Sequence, residues 1–296
     1  MVKGGIDIVG LVTAPPRRAG RGRKEVPNPL VDIAVEAGIP VLRPESARES
    51  EFKASFQEWR AEVGVVASYG QILDAELLAM PRCGCLNLHG SLLPRWRGAS
   101  PIQAALLAGD TESGVSVQRM VLALDAGHVI AEHAFAIGQR ETAPQLFDRL
   151  VDAGADLILD VLRKGAAEGD FPIGQPQDES AVTICRRIHK DEGQLDWSCS
   201  ATDIDRRVRA MAGWPCALTI LPDGTPLKVH SGELLAETND AEAGTIVSLE
   251  NGIQVACGEG RFCITELQRQ GKARLTSTEF LRGVALNVGD RLGIKS

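Results

Sequence analysis

Short apolar runs alternate with amphipathic stretches through the first half of the chain. Residues 6–13 (IDIVGLVT) are mostly apolar and β-branched, which predicts a short buried strand. Asn28-Pro29 reads as a helix start, with the helix running to about Ala37 and stopped by Gly38. A strand over 39–42 follows, then a helix over 45–60 that places Phe52, Phe56 and Trp59 on one face. Residues 62–68 (EVGVVAS) predict a second buried strand, 74–80 a short helix ended by Pro81, and 84–89 a third strand leading into a loop rich in Pro, Arg and Gly. A helix over 101–108 with Pro in its first turn, strands over 114–121 and 129–137, and a long amphipathic helix over 142–164 complete the series. Strands alternating with helices predict an α/β fold with a Rossmann-like, mostly parallel sheet.

Beyond Gly165 the pattern changes. Residues 166–180 are polar, with Gly, Pro and Asp, and read as a linker. A helix is expected over 202–211. Two hairpins follow, turning at Pro222-Asp223-Gly224 and at Asn251-Gly252, and a short helix over 277–282 closes the chain. The expected organisation is therefore an α/β domain over 1–165, a linker over 166–180 and a small β-barrel, OB-like, over 181–296.

Composition narrows the class. The 296 residues are 44% hydrophobic and 24% charged, enough apolar content for real cores and too much for a disordered chain. No apolar run approaches the ~20 residues of a membrane span, and the first residues lack the pattern of a signal peptide. Seven scattered cysteines argue against a disulfide framework and for a reducing cytoplasm. Cys83 and Cys85 are too close for a zinc knuckle and read as core thiols. The net charge is −7, yet Arg17, Arg18, Arg21, Arg23 and Lys24 follow one another without an acid, in a stretch broken by Pro15, Pro16, Gly20, Gly22 and Pro27. Such a loop either attracts a polyanion locally or is a solvated loop that touches nothing.

The densest candidate chemistry is LNLHGSLLPRWRG, residues 86–98. Asn87 and His89 are two apart at a strand end, so they share a face, where ligands of open α/β sheets bind. Asn supplies a neutral donor for a developing oxyanion, and His moves a proton near neutral pH. Asp125, in LDAG at another strand-end turn, is the candidate to orient the imidazole. From the residues alone, an Asn-x-His pair and a turn aspartate are also ordinary structural features. Ser91-Leu92-Leu93-Pro94 is a stiff loop whose Leu-Pro bond can be cis, suited to holding a flat heterocycle by backbone groups. Arg95, Trp96 and Arg97 either line a ligand or close the loop. No phosphate-cradling Gly-rich motif and no metal-ligand spacing is present.

LNLHGSLLPRWRGASPIQAAL followed by LDAGHVI resembles the folate-dependent formyltransferases, and among them those acting on methionyl-tRNA. TAPPRRAGRGRK, VVASYGQIL, LDWS and RAMAGWP extend the resemblance over nearly the whole chain. It implies Asn87, His89 and Asp125 as catalytic residues and Ser91, Leu92, Leu93 and Pro94 as contacts of 10-formyltetrahydrofolate. It also implies Arg17, Arg21, Arg23 and Lys24 as contacts of initiator methionyl-tRNA. No metal and no membrane partner is implied, and the expectation is a cytoplasmic monomer. Amino-sugar nucleotide formyltransferases, formyltetrahydrofolate hydrolases and an inactive RNA-binding remnant are the alternatives. Two features depart from the family. Residues 197–296 carry 11 Lys+Arg against 12 Asp+Glu, so an RNA-binding face there would have to be local. The family also opens with a strand, loop and helix before the segment that starts here at Ile6. Lys3-Gly4-Gly5 reads as the end of a helix, so an upstream unit is expected to be missing, leaving the strands at 6–13 and 84–89 each with an unpaired edge.

Overall fold

The computed structural model describes residues 1–16, 18–19, 24–25, 28–237 and 240–293. After a 3-10 turn over Val2–Gly4 come β1 (Leu11–Val12), β2 (Arg18–Ala19), β3 (Lys24–Glu25), α1 (Pro29–Glu36), β4 (Val41–Leu42) and α2 (Ser50–Glu58). Next are β5 (Gly64–Val66), α3 (Ala75–Ala79), β6 (Cys85–His89), β7 (Arg97–Gly98), α4 (Pro101–Ala108), β8 (Glu112–Arg119), β9 (Val129–Ala136) and α5 (Ala143–Glu168). The remainder holds β10 (Ile184–Cys185), α6 (Ala201–Ala210), β11 (Ala217–Ile220), β12 (Pro226–Leu235), β13 (Ile246–Ser248), β14 (Ile253–Ala256), β15 (Arg261–Arg269), β16 (Leu275–Thr276) and α7 (Ser277–Leu281). The chain divides into two compact units. One comprises residues 1–97, 114–134 and 150–184, the other 98–113, 135–149 and 185–296.

In the first unit β1 pairs in parallel with β4, and a separate four-stranded sheet has the order β5-β6-β8-β9. β5 and β6 are parallel, whereas β8 runs antiparallel to β6. The expected strand over 6–13 contracts to the two residues that find a ladder partner, Leu11 and Val12. The expected open edge at 84–89 is not there, because β6 is paired on both sides; β5 ends the sheet instead. Gly5 does close a helical turn, at φ 73°, but that turn is the three-residue 3-10 segment. Leu86, Val117, Ile158, Val161, Leu162 and Phe171 form the core between this sheet and α5.

Local chemistry accounts for the helix ends. Asn28 caps α1 by accepting from the Leu30 amide, with Pro29 in the first turn where its missing N–H is not needed. Residues 166–180, expected as a linker, are held within the first unit: α5 continues to Glu168, Phe171 is buried, and Gln175 exchanges backbone bonds with Val129 at 2.9 and 2.8 Å. Polarity there reflects backbone and side-chain bonding rather than freedom.

The second unit is built on a curled six-stranded antiparallel sheet, ordered β11-β12-β15-β14-β13 with β16 beside β15. Both expected hairpins form, the second through Asn251 and Gly252 at positive φ, 57° and 137°. The longest pairing, β12 with β15, was not legible, because a register shift at Val229–Gly232 breaks the alternation that marks a strand. Phe262 on β15 is fully buried, its ring centroid 6.4 Å from that of Trp197. Phe262→Ala is expected to cost about 3–5 kcal/mol of stability, read as a fall in the urea midpoint of the second unit's transition. A change within experimental error would mean that the sheet does not depend on this ring.

Candidate active site

β6 and β8 set the site. Their register places Asn87 opposite Gln118 and His89 opposite Ser116, so four polar side chains share one face of the strand pair. After β8 the chain turns at Asp125, which has φ 49°, and Gly127. Three side chains from two segments converge there. His89 Nδ1 lies 3.8 Å from Asp125 Oδ2, and Asn87 Nδ2 is 3.5 Å from Asp125 Oδ1. His89 and Asp125 are sheltered, with side chains 7% and 12% exposed, while Asn87 is half-buried.

The imidazole is oriented by its far nitrogen. His89 Nε2 sits 2.9 Å from the carbonyl oxygen of Trp96. A carbonyl only accepts, so this partner assigns the proton to Nε2 and turns Nδ1 toward Asp125. The 3.8 Å to the carboxylate is beyond hydrogen-bond length. Nδ1 is thus the nitrogen left to exchange a proton, beside a carboxylate able to compensate its charge.

The loop after β6 is braced from inside. Ser91 Oγ donates to the Arg95 carbonyl at 2.6 Å, and the Leu93 amide donates to Ser116 Oγ at 3.0 Å. Ser116 Oγ also lies 2.7 Å from the Ser91 carbonyl and 2.7 Å from Glu132 Oε1, and its single proton serves one of them at a time. The Leu93–Pro94 bond is cis. The side chain of Ser91 and the amide of Leu93 are therefore engaged within the protein, and Leu92 packs over Gly114. Leu93 and Pro94 line an open groove of about 310 Å³ together with Val129, Ile130, Glu132 and Gln177. Its walls are largely apolar, with Glu132, Gln175, Gln177 and Asp178 supplying polar groups.

Arg97 closes the loop: it is buried, donating from Nε to Gln177 Oε1 at 2.9 Å and from Nη2 to Glu179 Oε1 at 2.7 Å. Arg95 instead stacks over Trp96, 4.6 Å from its ring centroid. Arg17, Arg21 and Arg23 lie outside the described residues; Lys24 is placed only by its backbone, in β3, which pairs with β2 as a short hairpin.

Sequence reasoning missed Ser116, Gln118 and Gln177. Gln118, 1% exposed, donates from Nε2 to Asp125 Oδ1 at 3.2 Å. Gln177 donates to the carbonyls of Asp125 and Gly127 at 2.8 and 2.7 Å. The signal for the first two was the pair Ser116-x-Gln118, polar at period two and alternating with Val115 and Val117; Gln177 carried none. Burial pushes the Cys85 thiol, at the start of β6, up to about 11, so it supplies no thiolate at neutral pH. No cluster of three or more His, Cys, Asp or Glu among the described residues could hold a metal, and no described helix is long and apolar enough to cross a membrane.

Two family descriptions match the chain: formyl transferase over residues 2–162, and formyl transferase C-terminal domain over 187–285. A methionyl-tRNA formyltransferase of Methylococcus capsulatus is 44% identical over 281 residues, covering 95% of this chain and 90% of the relative. One of Gluconobacter oxydans is 42% identical over 294 residues, covering 99% and 94%. Among solved structures, HypX from Aquifex aeolicus in complex with tetrahydrofolic acid superposes with a TM-score of 0.63 at 16% identity, over 95% of this chain and 50% of that one. WlaRD, a sugar 3N-formyl transferase, gives 0.63 at 16% identity, over 90% of this chain and 100% of its own. The two structures share the fold, and the sequence matches, which span both domains at over 40% identity, place this chain in the formyl transferase family.

Proposed function

We propose that this chain transfers the formyl group of 10-formyltetrahydrofolate to the amino group of initiator methionyl-tRNA. The observation that carries the reading is the identity of 40–44% over at least 95% of the chain to relatives named methionyl-tRNA formyltransferase. The convergence of Asn87, His89 and Asp125 at one strand end supports it.

The donor supplies an activated formyl carbonyl. Asn87, half-buried beside the cluster, offers its amide to the oxygen on which negative charge develops as the amine adds. A free α-amino group has a pKa of about 7.7–8.0, so an appreciable neutral share is present at physiological pH. His89 Nδ1 takes the proton the amine gives up and returns it to the leaving nitrogen, while Asp125 compensates the imidazolium. Trp96, through its carbonyl, keeps the ring from turning during the exchange. Leu93 and Pro94 form one wall for the donor, in a loop that Ser91 and Ser116 hold rigid; Leu92 supports it from behind.

The N-terminal family domain carries this chemistry, and the C-terminal domain together with the basic loop holds the tRNA. Replacing Arg21 and Arg23 with Ala is expected to weaken tRNA use and flatten its salt dependence, since each lost phosphate contact removes about 0.7–0.9 from the log–log salt slope. Folate binding should stay unchanged. An unaltered slope would make the loop a solvated one.

The deciding experiment supplies the purified chain with 10-formyltetrahydrofolate and, separately, methionyl-tRNA, an amino-sugar nucleotide, and water alone. Formylmethionine recovered after alkaline release from tRNA is the expected product. Consumption of the donor without tRNA formylation, or formylation of the sugar alone, would overturn the proposal.

A further inference from the structure

The carboxylate of Asp125 has a further neighbour besides the two side chains already assigned to the reaction. Gln118 projects from β8 opposite Asn87 and is almost completely buried. The orientation of its amide is fixed by partners. Its Oε1 accepts from the Gly127 amide at 3.1 Å and lies 3.5 Å from Gln177 Nε2. Nε2 therefore faces Asp125 Oδ1, at 3.2 Å. The reversed amide would set two acceptors against each other and strip the Gly127 N–H of this partner.

We propose that Gln118 is a positioning residue for formyl transfer: it occupies Oδ1 of Asp125 and so leaves Oδ2 turned to Nδ1 of His89. This rests on the reading of Asp125 as the partner of His89. A neutral donor suits the task. It anchors one oxygen of the carboxylate without adding a cation that would compete with the imidazolium for the charge. Gln177 does something different, because it binds the backbone carbonyls of Asp125 and Gly127 and holds the turn rather than the carboxylate. Gln177 is in turn tied to Arg97, and Arg97 to Glu179.

Three variants test this. Gln118→Met keeps length and burial but removes the amide, and is expected to lower kcat about 10- to 100-fold, as loss of a hydrogen bond to a charged group does, with both KM values unchanged. Gln118→Glu separates positioning from mere structure. While protonated, it donates to Asp125 as the amide did. Two carboxylates in contact raise one another's pKa, so this proton persists above the usual carboxylate range and is lost as pH rises. The ratio of variant to parent kcat/KM should therefore fall with rising pH. A structural glutamine would give a ratio independent of pH, which overturns the inference and decides the matter even if Gln118→Met fails to fold. The Gln118→Met/Asp125→Ala double variant should be no slower than Asp125→Ala alone, because the first residue acts through the second. If Asp125→Ala runs at the parent rate, the reading of Asp125 fails. If Asp125→Ala is slow and Gln118→Met is not, or if the two losses multiply, the role of Gln118 alone is overturned.

Discussion

Alanine at His89 is expected to lower kcat for formyl transfer by about 10²–10⁴, the usual worth of a positioned general acid–base. Asn87→Ala should lose about 10²–10³, the worth of one oxyanion donor. Asp125→Ala should also lose most of the transfer, because Nδ1 of His89 would then carry its proton with no carboxylate 3.8 Å away. The three act on one proton and one charge, so double variants should lose far less than the product of the single losses. Rates are to be compared under single-turnover conditions, with thermal melts alongside, since His89 is itself buried. A near-parent rate for Asp125→Ala would remove it from the mechanism. A near-parent rate for His89→Ala would remove the imidazole as the proton carrier.

The site was legible in the sequence as far as strand ends could be read. Asn87 and His89 could be placed because β6 is an apolar run closed by two polar residues of the same parity, and Asp125 because LDAG sits between two strands. What binds them together was not legible. The Trp96 carbonyl that orients His89 is a backbone group, for which a sequence offers no sign. Gln177 comes from 52 residues beyond Asp125, in a segment whose polarity read as a linker. The same limit governs the fold. Strand existence followed from apolar runs over 62–68 and 84–89, but pairing did not, so the open edge was placed on β6 when it lies on β5. In the second unit, hairpins announced by Asp-Gly and Asn-Gly were found, whereas β15, with Phe262, Cys263 and Ile264 buried in succession, gives no alternating signal.

The strongest link between backbone geometry and chemistry is at Gly127. A Cβ there would stand 1.6 Å from the Arg119 carbonyl oxygen and 2.8 Å from its carbon. Both are backbone atoms, and they cannot retreat. Arg119 is paired with Leu86 across the sheet, and its guanidinium is spent on the carbonyls of Cys83, Pro172 and Phe171. With Gly127→Ala the turn must therefore move, breaking the 3.1 Å bond from the Gly127 amide to Gln118 and carrying Asp125, two residues earlier, with it. A displacement of about 1 Å at a positioning group costs on the order of 10² in rate. Gly127→Ala is thus expected to lose transfer nearly as completely as Asp125→Ala, although it removes no functional atom. Gly258→Ala is the control, because its Cβ meets the Ser198 carbonyl oxygen at 1.9 Å in the second unit, where no reacting group is placed. Assayed well below either melting temperature, the control should lower stability and keep kcat, while Gly127→Ala should lower both. A parent-like kcat for Gly127→Ala would show that the placement of this turn does not govern the carboxylate, and that Asp125 is held from the side of its own side chain alone.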